Sequence, residues 1–430
     1  MPQKLVIHWF RRDLRLEDNT SLNAALNSGF PVLPIFIFDP NILDELPEDD
    51  ARLTFIHGQL SGLKQQIEAQ GGTLHTYYGT PKSVLESLAK EHQLEAIYTN
   101  RDYEPYARER DASIDSLLAA HEVAFKTFKD QVIMEPGEVL KPDGKPYTVY
   151  TPYMKKWRAG FKPDVLHTAQ PNHFNWAKPE PQWVDLDDMG FKKSSIEVPP
   201  YRLNAELLGQ YANSRDIPSI NGTSLLSTHL RFGTVSIRQI VKLAIEANGD
   251  SFLNELIWRE FFMQILWFFP HTTINSFKPK YDGIKWRNNE REFEAWKNGQ
   301  TGYPMVDAGM RELNATGLMH NRVRMVVASF LCKHLLIDWR WGEAYFASKL
   351  LDFEQASNVG NWQWAAGSGC DAAPYFRIFN PTSQWEKFDK QSKYVSKWVP
   401  EYQDLHYARP IVDHKEARIR CLERYKAALA

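Results

Sequence analysis

The sequence predicts two folds in tandem: an N-terminal α/β domain on a doubly wound parallel sheet, followed by an all-α domain. Three observations carry this expectation. Short apolar runs alternate with helical patterns over the first 130 residues, prolines then crowd a stretch without clear periodicity, and beyond residue 200 the apolar spacing is helical almost throughout. The expected boundaries are 1–130, a connector over 131–200, and 201–430.

LVIHWF (5–10), VLPIFIF (32–38), TLHTYY (73–78), AIYT (96–99) and AFKTF (124–128) read as strands. Helices between them carry start and stop signals: Asp18 and Asn19 before one and Gly29 after it, Gly71 and Gly72 ending the next, and Pro81 opening another. The turn after the first strand, FRRDLRLED, lacks the glycine fingerprint of an ordinary dinucleotide site, so none is expected there. Within the connector, Pro136, Pro142, Pro146, Pro152, Pro163 and Pro171 break regular structure, and YMKKWRAGF can hold one helix. Beyond it, 251–269 and 322–336 are the longest apolar-periodic stretches.

Composition narrows the class. Phe, Tyr and Trp number 24, 18 and 14 in 430 residues, an aromatic content that excludes a disordered chain. Only Trp9 precedes residue 150. The longest apolar run, Phe261 to Phe269, is about half of the roughly 20 residues a spanning helix needs. No signal peptide is expected, and the scattered Cys332, Cys370 and Cys421 suit neither a disulfide framework nor a metal site, so a cytoplasmic protein without metal is expected, nucleoid-associated if bacterial. Residues 1–200 carry 22 Lys and Arg against 29 Asp and Glu, and residues 201–430 carry 29 against 24. The basic, tryptophan-rich half is the one suited to a polyanion.

Four segments carry chemistry. In NGTSLLSTHL (221–230), Thr223, Ser224 and Ser227 stand where an apolar helix begins, which makes either an ordinary hydroxyl cap or a cradle for a pyrophosphate. In SFLNELIWREFFMQILWFF (251–269), Glu255, Trp258 and Phe262 share a face, as a core helix with a salt-bridged Glu255 or as a wall for a flat heterocycle. HNRVRM (320–325) sets Arg322 and Arg324 at a helix N-terminus, where they oppose the macrodipole and need a phosphate or a carboxylate. The stretch 352–381 alternates Trp362 and Trp364 with polar and small residues, too polar for plain core and too aromatic for plain loop, and reads as the lining of a ligand site.

HWFRRDLRLEDN (8–19), INGTSLLS (220–227), NELIWREF (254–261), TGYPMVDAGMRELNATGLMHNRVRM (301–325) and NWQWAAGSGCDAAPYFRIFNP (361–381) together resemble the photolyase/cryptochrome flavoproteins, in the same order over nearly the whole chain. The resemblance implies a helical domain that holds FAD, active as the anionic reduced form. Tyr211, Thr223, Ser224, Leu225, Leu226 and Ser227 would meet its ribityl-phosphate portion. Arg324 and Asp352 would pair beside the isoalloxazine, with Glu354 close by and Asn358 facing flavin N5. Trp362, Trp339 and Trp286 match the family's electron relay from flavin to surface.

Glu255, Trp258, Asn321, Arg322, Met325 and Trp364 match class I cyclobutane pyrimidine dimer photolyases, whereas enzymes of the six-four type carry histidines at the positions of Asn321 and Met325. The implied activity is light-dependent repair of dimers in single- or double-stranded DNA, by electron transfer from excited reduced FAD to a dimer extruded from the helix. Glu255 and Asn321 would hydrogen-bond its base edges, Trp258 and Trp364 would pack against it, and Arg259, Arg322, Lys387 and Lys390 would engage the backbone. The alternative is a blue-light sensor of cryptochrome type without repair activity. For an antenna chromophore in the α/β domain, Ala107, Thr272 and Thr273 depart from the folate pattern, and 101–105 with Arg52 suits a deazaflavin or flavin; an empty domain is also open. A monomer is expected.

Overall fold

The computed structural model describes residues 4–171 and 173–430. Two compact units divide it. The first comprises the chain up to Glu138 with Ala159–Tyr201 and Leu226–Glu246; the second comprises Val139–Arg158, Arg202–Leu225 and Ala247–Ala430.

The first unit is a five-stranded, all-parallel sheet: β1 (Leu5–Phe10), β2 (Val32–Phe38), β3 (His75–Tyr78), β4 (Leu94–Asn100) and β5 (Ala124–Phe128), ordered β3-β2-β1-β4-β5. Residues alternate between its faces as the pleat requires. Val6 and Phe10 of β1 and Phe36 and Phe38 of β2 join one core with Leu22, Leu53, Leu60 and Leu63 from the helices Thr20–Leu26 and Ala51–Ala69. Ile7, Trp9, Leu33 and Ile35 join another, with Leu85, Leu88, Ile114 and Leu118 from the helices Pro81–Glu91 and Pro105–Ala119. Helices thus cover both faces, the doubly wound arrangement that the alternating pattern predicted.

The linear boundaries differ from these units for a physical reason. Leu226–Glu246 lies with the sheet because Arg238 pairs with Asp18 at 2.9 Å and with Asp130 at 2.7 Å, and because the Leu14 N–H donates to the Phe232 carbonyl at 3.1 Å. Val139–Arg158 lies with the helices because Trp157 Nε1 donates to the buried Glu260 at 2.6 Å. A run of prolines marked irregular backbone; it could not say which core each side chain would join.

The second unit packs the helices Asp250–Phe268, Pro304–Thr316, Asn321–Ser329, Trp339–Lys349 and Gln355–Ala366. Trp296, Trp339, Trp362, Val323, Val327 and Phe330 are central in its core. Two glycines set how closely the helices approach: a Cβ on Gly342 would come within 2.2 Å of the Trp362 ring, and one on Gly360 within 2.3 Å of Phe262. The apolar-periodic stretch 322–336 is α-helical only to Ser329 and then turns through a π-helical segment, Phe330–His334. That turn buries Lys333, whose Nζ donates to the carbonyls of Ala366 at 2.8 Å and Tyr375 at 3.2 Å.

Candidate functional site

His320 caps the helix Asn321–Ser329, its Nδ1 accepting from the Arg322 N–H at 3.2 Å. The cap places Asn321, Arg324 and Met325 on a cavity in the second unit whose atom-free space, open solvent at its mouth included, is about 620 Å³. The opposite lining comes from Asp352 and Glu354 and from Asn358, Trp362 and Trp364 of the helix Gln355–Ala366. Eight residues singled out in the sequence therefore surround one cavity.

Charge is arranged around it in a specific way. Arg324 Nη2 reaches both oxygens of Asp352, at 3.1 and 2.9 Å, while its Nε donates to the Met319 carbonyl at 2.8 Å. Asp352 is the carboxylate that a cation at a helix N-terminus needed. Asn358 spends its amide donors on Glu343, at 3.1 Å to the carbonyl and 2.8 Å to Oε1, so the amide oxygen is its remaining polar group. Burial raises the Glu343 pKa, and the Asn358 hydrogen bond opposes that rise.

Trp362 forms the aromatic floor. Its ring meets Phe346 edge-on at 4.9 Å and Trp296 at 6.1 Å. Trp339 is buried in the same core with its indole N–H unpartnered, and half-buried Trp286 packs against that core and meets Tyr425 edge-on at 6.1 Å.

A second cluster gathers further charged residues singled out in the sequence. Glu255 pairs with Arg215, whose guanidinium lies over the Tyr211 ring at 5.4 Å. Arg322 pairs with Asp216 at 2.7 Å and reaches Met325 Sδ at 3.6 Å. Burial raises the Glu255 pKa while the positive charge of Arg215 pulls it down. Trp258 stacks on Tyr150 with centroids 3.6 Å apart. Arg259 is largely buried, with Nη2 3.4 Å from Glu354 of the cavity wall.

Of the three hydroxyls expected where a helix begins, Ser227 opens it and Thr223 and Ser224 lie before it. The helix runs Ser227–Phe232, with Leu226 at its cap making no side-chain bond, and Leu225 adopts a left-handed φ of 55°. Thr223, Ser224 and Leu225 belong to the second unit and Leu226 and Ser227 to the first, so the segment is irregular backbone where the unit boundary falls. Arg215 and Asp216 were missed in the sequence. The signal for Arg215 existed, since it stands one helical turn beyond Tyr211. Nothing local marked Glu343 or Tyr150. In the sheet unit, Arg52 is closed onto Asp50 at 2.5 Å and Arg101 onto Glu135 at 2.7 Å.

Comparison with known proteins places this geometry. Residues 6–173 match the family described as DNA photolyase, and residues 252–406 match the FAD binding domain of DNA photolyase. The chain belongs to the DNA photolyase family. It is similar to the deoxyribodipyrimidine photo-lyase of Agrobacterium fabrum, at 37% identity over 98% of each chain. Among solved structures it is similar to a bacterial class III photolyase from Agrobacterium tumefaciens, with a TM-score of 0.89 and 35% identity over 100% of this chain and 98% of that one. It is also similar to a cryptochrome from Synechocystis, with a TM-score of 0.84 and 26% identity over 98% and 99%. Membership assigns this photolyase-family chain to the FAD-dependent lyases of DNA repair and implies damaged DNA as its partner. No helix among the described residues is long and apolar enough to cross a membrane, and none of them form a cluster of three potential metal ligands.

The cavity fits FAD by the chemistry of its donor set. An arginine-carboxylate pair, an amide with one free acceptor and an indole floor suit a flat, hydrogen-bonding heterocycle.

Proposed function

We propose that this chain repairs cyclobutane pyrimidine dimers in DNA under light. One arrangement carries the reading: Asn321, Met325 and Trp364 line the same cavity as the Arg324–Asp352 pair, with no histidine among the described lining residues. Repair of the six-four type would place histidines at the positions of Asn321 and Met325, so dimer repair is the better fit. Reduced FAD bound there would supply, on excitation, the electron that opens the cyclobutane ring and would accept it back.

The chain's own residues would bind and position. Arg324 and Asp352 would hold the flavin rim, and the free oxygen of Asn358 would accept from a flavin N–H, as the reduced form offers at N5. Tyr211, Thr223, Ser224, Leu225, Leu226 and Ser227 would hold the ribityl-phosphate portion. Asn321 and Glu255 would hydrogen-bond the dimer; burial pushes the Glu255 pKa up and the Arg215 guanidinium beside it opposes that rise. Trp258 and Trp364 would exclude water from the dimer's faces, and Arg322 with Lys387 and Lys390 would meet the phosphates. Trp362, Trp339 and Trp286 would return electrons to oxidised flavin.

A second reading, the light sensor, is favoured by the likeness to the Synechocystis cryptochrome. Purified, photoreduced protein incubated with a thymine-dimer oligonucleotide separates the two. Loss of dimer in the light and none in the dark is expected; no loss in either would give the sensor reading its place.

A further inference from the structure

Tyr150 opens the helix Tyr150–Gly160, in the proline-rich stretch that read as connector. Its ring lies parallel to the Trp258 indole, 7° between planes and 3.6 Å between centroids. Its hydroxyl donates to the carbonyl of Asn254 at 2.8 Å, one turn before Trp258 on the same helix. Its backbone N–H donates to Asp371 Oδ2 at 3.0 Å, in the loop that follows the helix bearing Trp364. One residue thus ties the helix that carries Trp258 to the loop that follows the helix carrying Trp364.

The brace is itself fixed. Arg158 reaches Asp250 at 3.0 Å and Asn254 Oδ1 at 3.0 Å, and Trp157 is hydrogen-bonded to Glu260, so this helix is bolted along the helix Asp250–Phe268. Phe261 and Phe262 close on the Trp258 ring at 5.5 Å each. An indole held in this way loses its rotamer freedom before any ligand arrives, and binding then has less disorder to remove. Stacking also closes one indole face. Slipping between two stacked bases needs both faces of a ring, so Trp258 is left to press one face or edge against a base already out of the stack.

We propose that Tyr150 is a positioning residue for dimer recognition, setting the plane of Trp258 and denying its second face to undamaged, stacked DNA. This rests on the reading of Trp258 as part of the dimer pocket. The experiment compares binding of a thymine-dimer oligonucleotide and its undamaged twin by Tyr150→Leu, Tyr150→Phe and Trp258→Ala, each loaded with FAD.

Tyr150→Leu is expected to weaken dimer binding about tenfold, as loss of one aromatic stack would, and to narrow the preference for damaged over undamaged DNA. FAD content and repair yield at saturating dimer should hold. Tyr150→Phe keeps the ring and should recover wild-type binding, which a role in hydroxyl chemistry would not allow. If Trp258→Ala weakens binding and Tyr150→Leu does not, the proposal is overturned alone. If Trp258→Ala also binds as wild type, the pocket reading fails with it. Should Tyr150→Leu not load FAD, Asp371→Ala, which releases the Tyr150 N–H, takes its place: weaker dimer binding supports the brace and unchanged binding overturns it.

Discussion

In the sheet unit, Asp130 is shut in with Arg15 and Arg238, each at 2.7 Å, and no side chain of the three is more than 8% exposed. In the helical unit, Arg324 meets Asp352 at 2.9 Å with 28% of its side chain still open, on the wall of a cavity. Both are arginine-carboxylate pairs. The first saturates itself: the two arginines hold the Asp130 carboxyl down at about 2, against the upward push of burial. The second keeps one partner accessible. A closed pair fixes local structure, whereas an open pair beside a cavity can be completed by a ligand.

Four experiments sharpen this contrast, from the largest expected effect to the smallest. Arg238→Met takes the cation from Asp18, which keeps only the hydroxyls of Thr168 and Ser236, and one of two cations from Asp130, and should cost about 3–5 kcal/mol of stability, read as a lower urea midpoint, with repair per folded molecule unchanged. Arg324→Met should cost less, about 1–3 kcal/mol, because its site is partly open, and should show chiefly as lost FAD. A stability loss as large as that of Arg238→Met would erase the distinction between the two pairs.

Trp362→Phe removes one of the two indoles that line the cavity. FAD photoreduction should slow by about tenfold or more, while repair by chemically reduced protein persists. Loss of both would mean that Trp362 only supports the pocket.

The fourth experiment is a pH titration of stability, in which the units should behave alike. His8 in the sheet unit and His334 in the helical unit are both pushed down to about 3 by burial, from an ordinary 6.5. Between those values the unfolded chain binds protons that the folded chain refuses, so stability is full above pH 6.5 and falls as pH drops toward 3. Each histidine should contribute a loss of roughly 1.4 kcal/mol per pH unit in that range. His8→Asn and His334→Asn should each flatten the slope of the urea midpoint against pH. A slope that neither changes would place the acid sensitivity in other groups. In the cluster with Arg215, Glu255→Ala should lower repair yield and leave FAD bound; loss of FAD would mean that this side chain holds flavin and not the dimer.

Much of the fold was legible because its causes are local. Alternation set β1, β2 and β5 at the residues where they stand, and missed only the ends of β3 and β4, where pairing with a neighbour decides the last residue. The bend at Leu225 was not legible, since leucine has no preference for a left-handed φ. Nor was the π turn at Phe330–His334, where apolar periodicity runs straight through. At the cavity, the residue types around Asn321, Asp352 and Trp362 announced a ligand site. The inward turn of Arg259 to Glu354 and the pairing of Arg215 with Glu255 did not show.

The aromatic excess divides in the same way. Trp296 is fully buried and donates to the Val327 carbonyl at 3.2 Å, as a packing indole does, while Trp362 in the same core reaches the cavity. By itself the sequence determined the order of folds, the strand set and the chemical vocabulary of the site, because these follow from spacing along one chain. Only the tertiary structure decided partners. It laid Tyr150 against Trp258 and Arg238 against Asp18, across more than a hundred residues in each case, and no local pattern encodes which distant side chain will complete a stack or an ion pair.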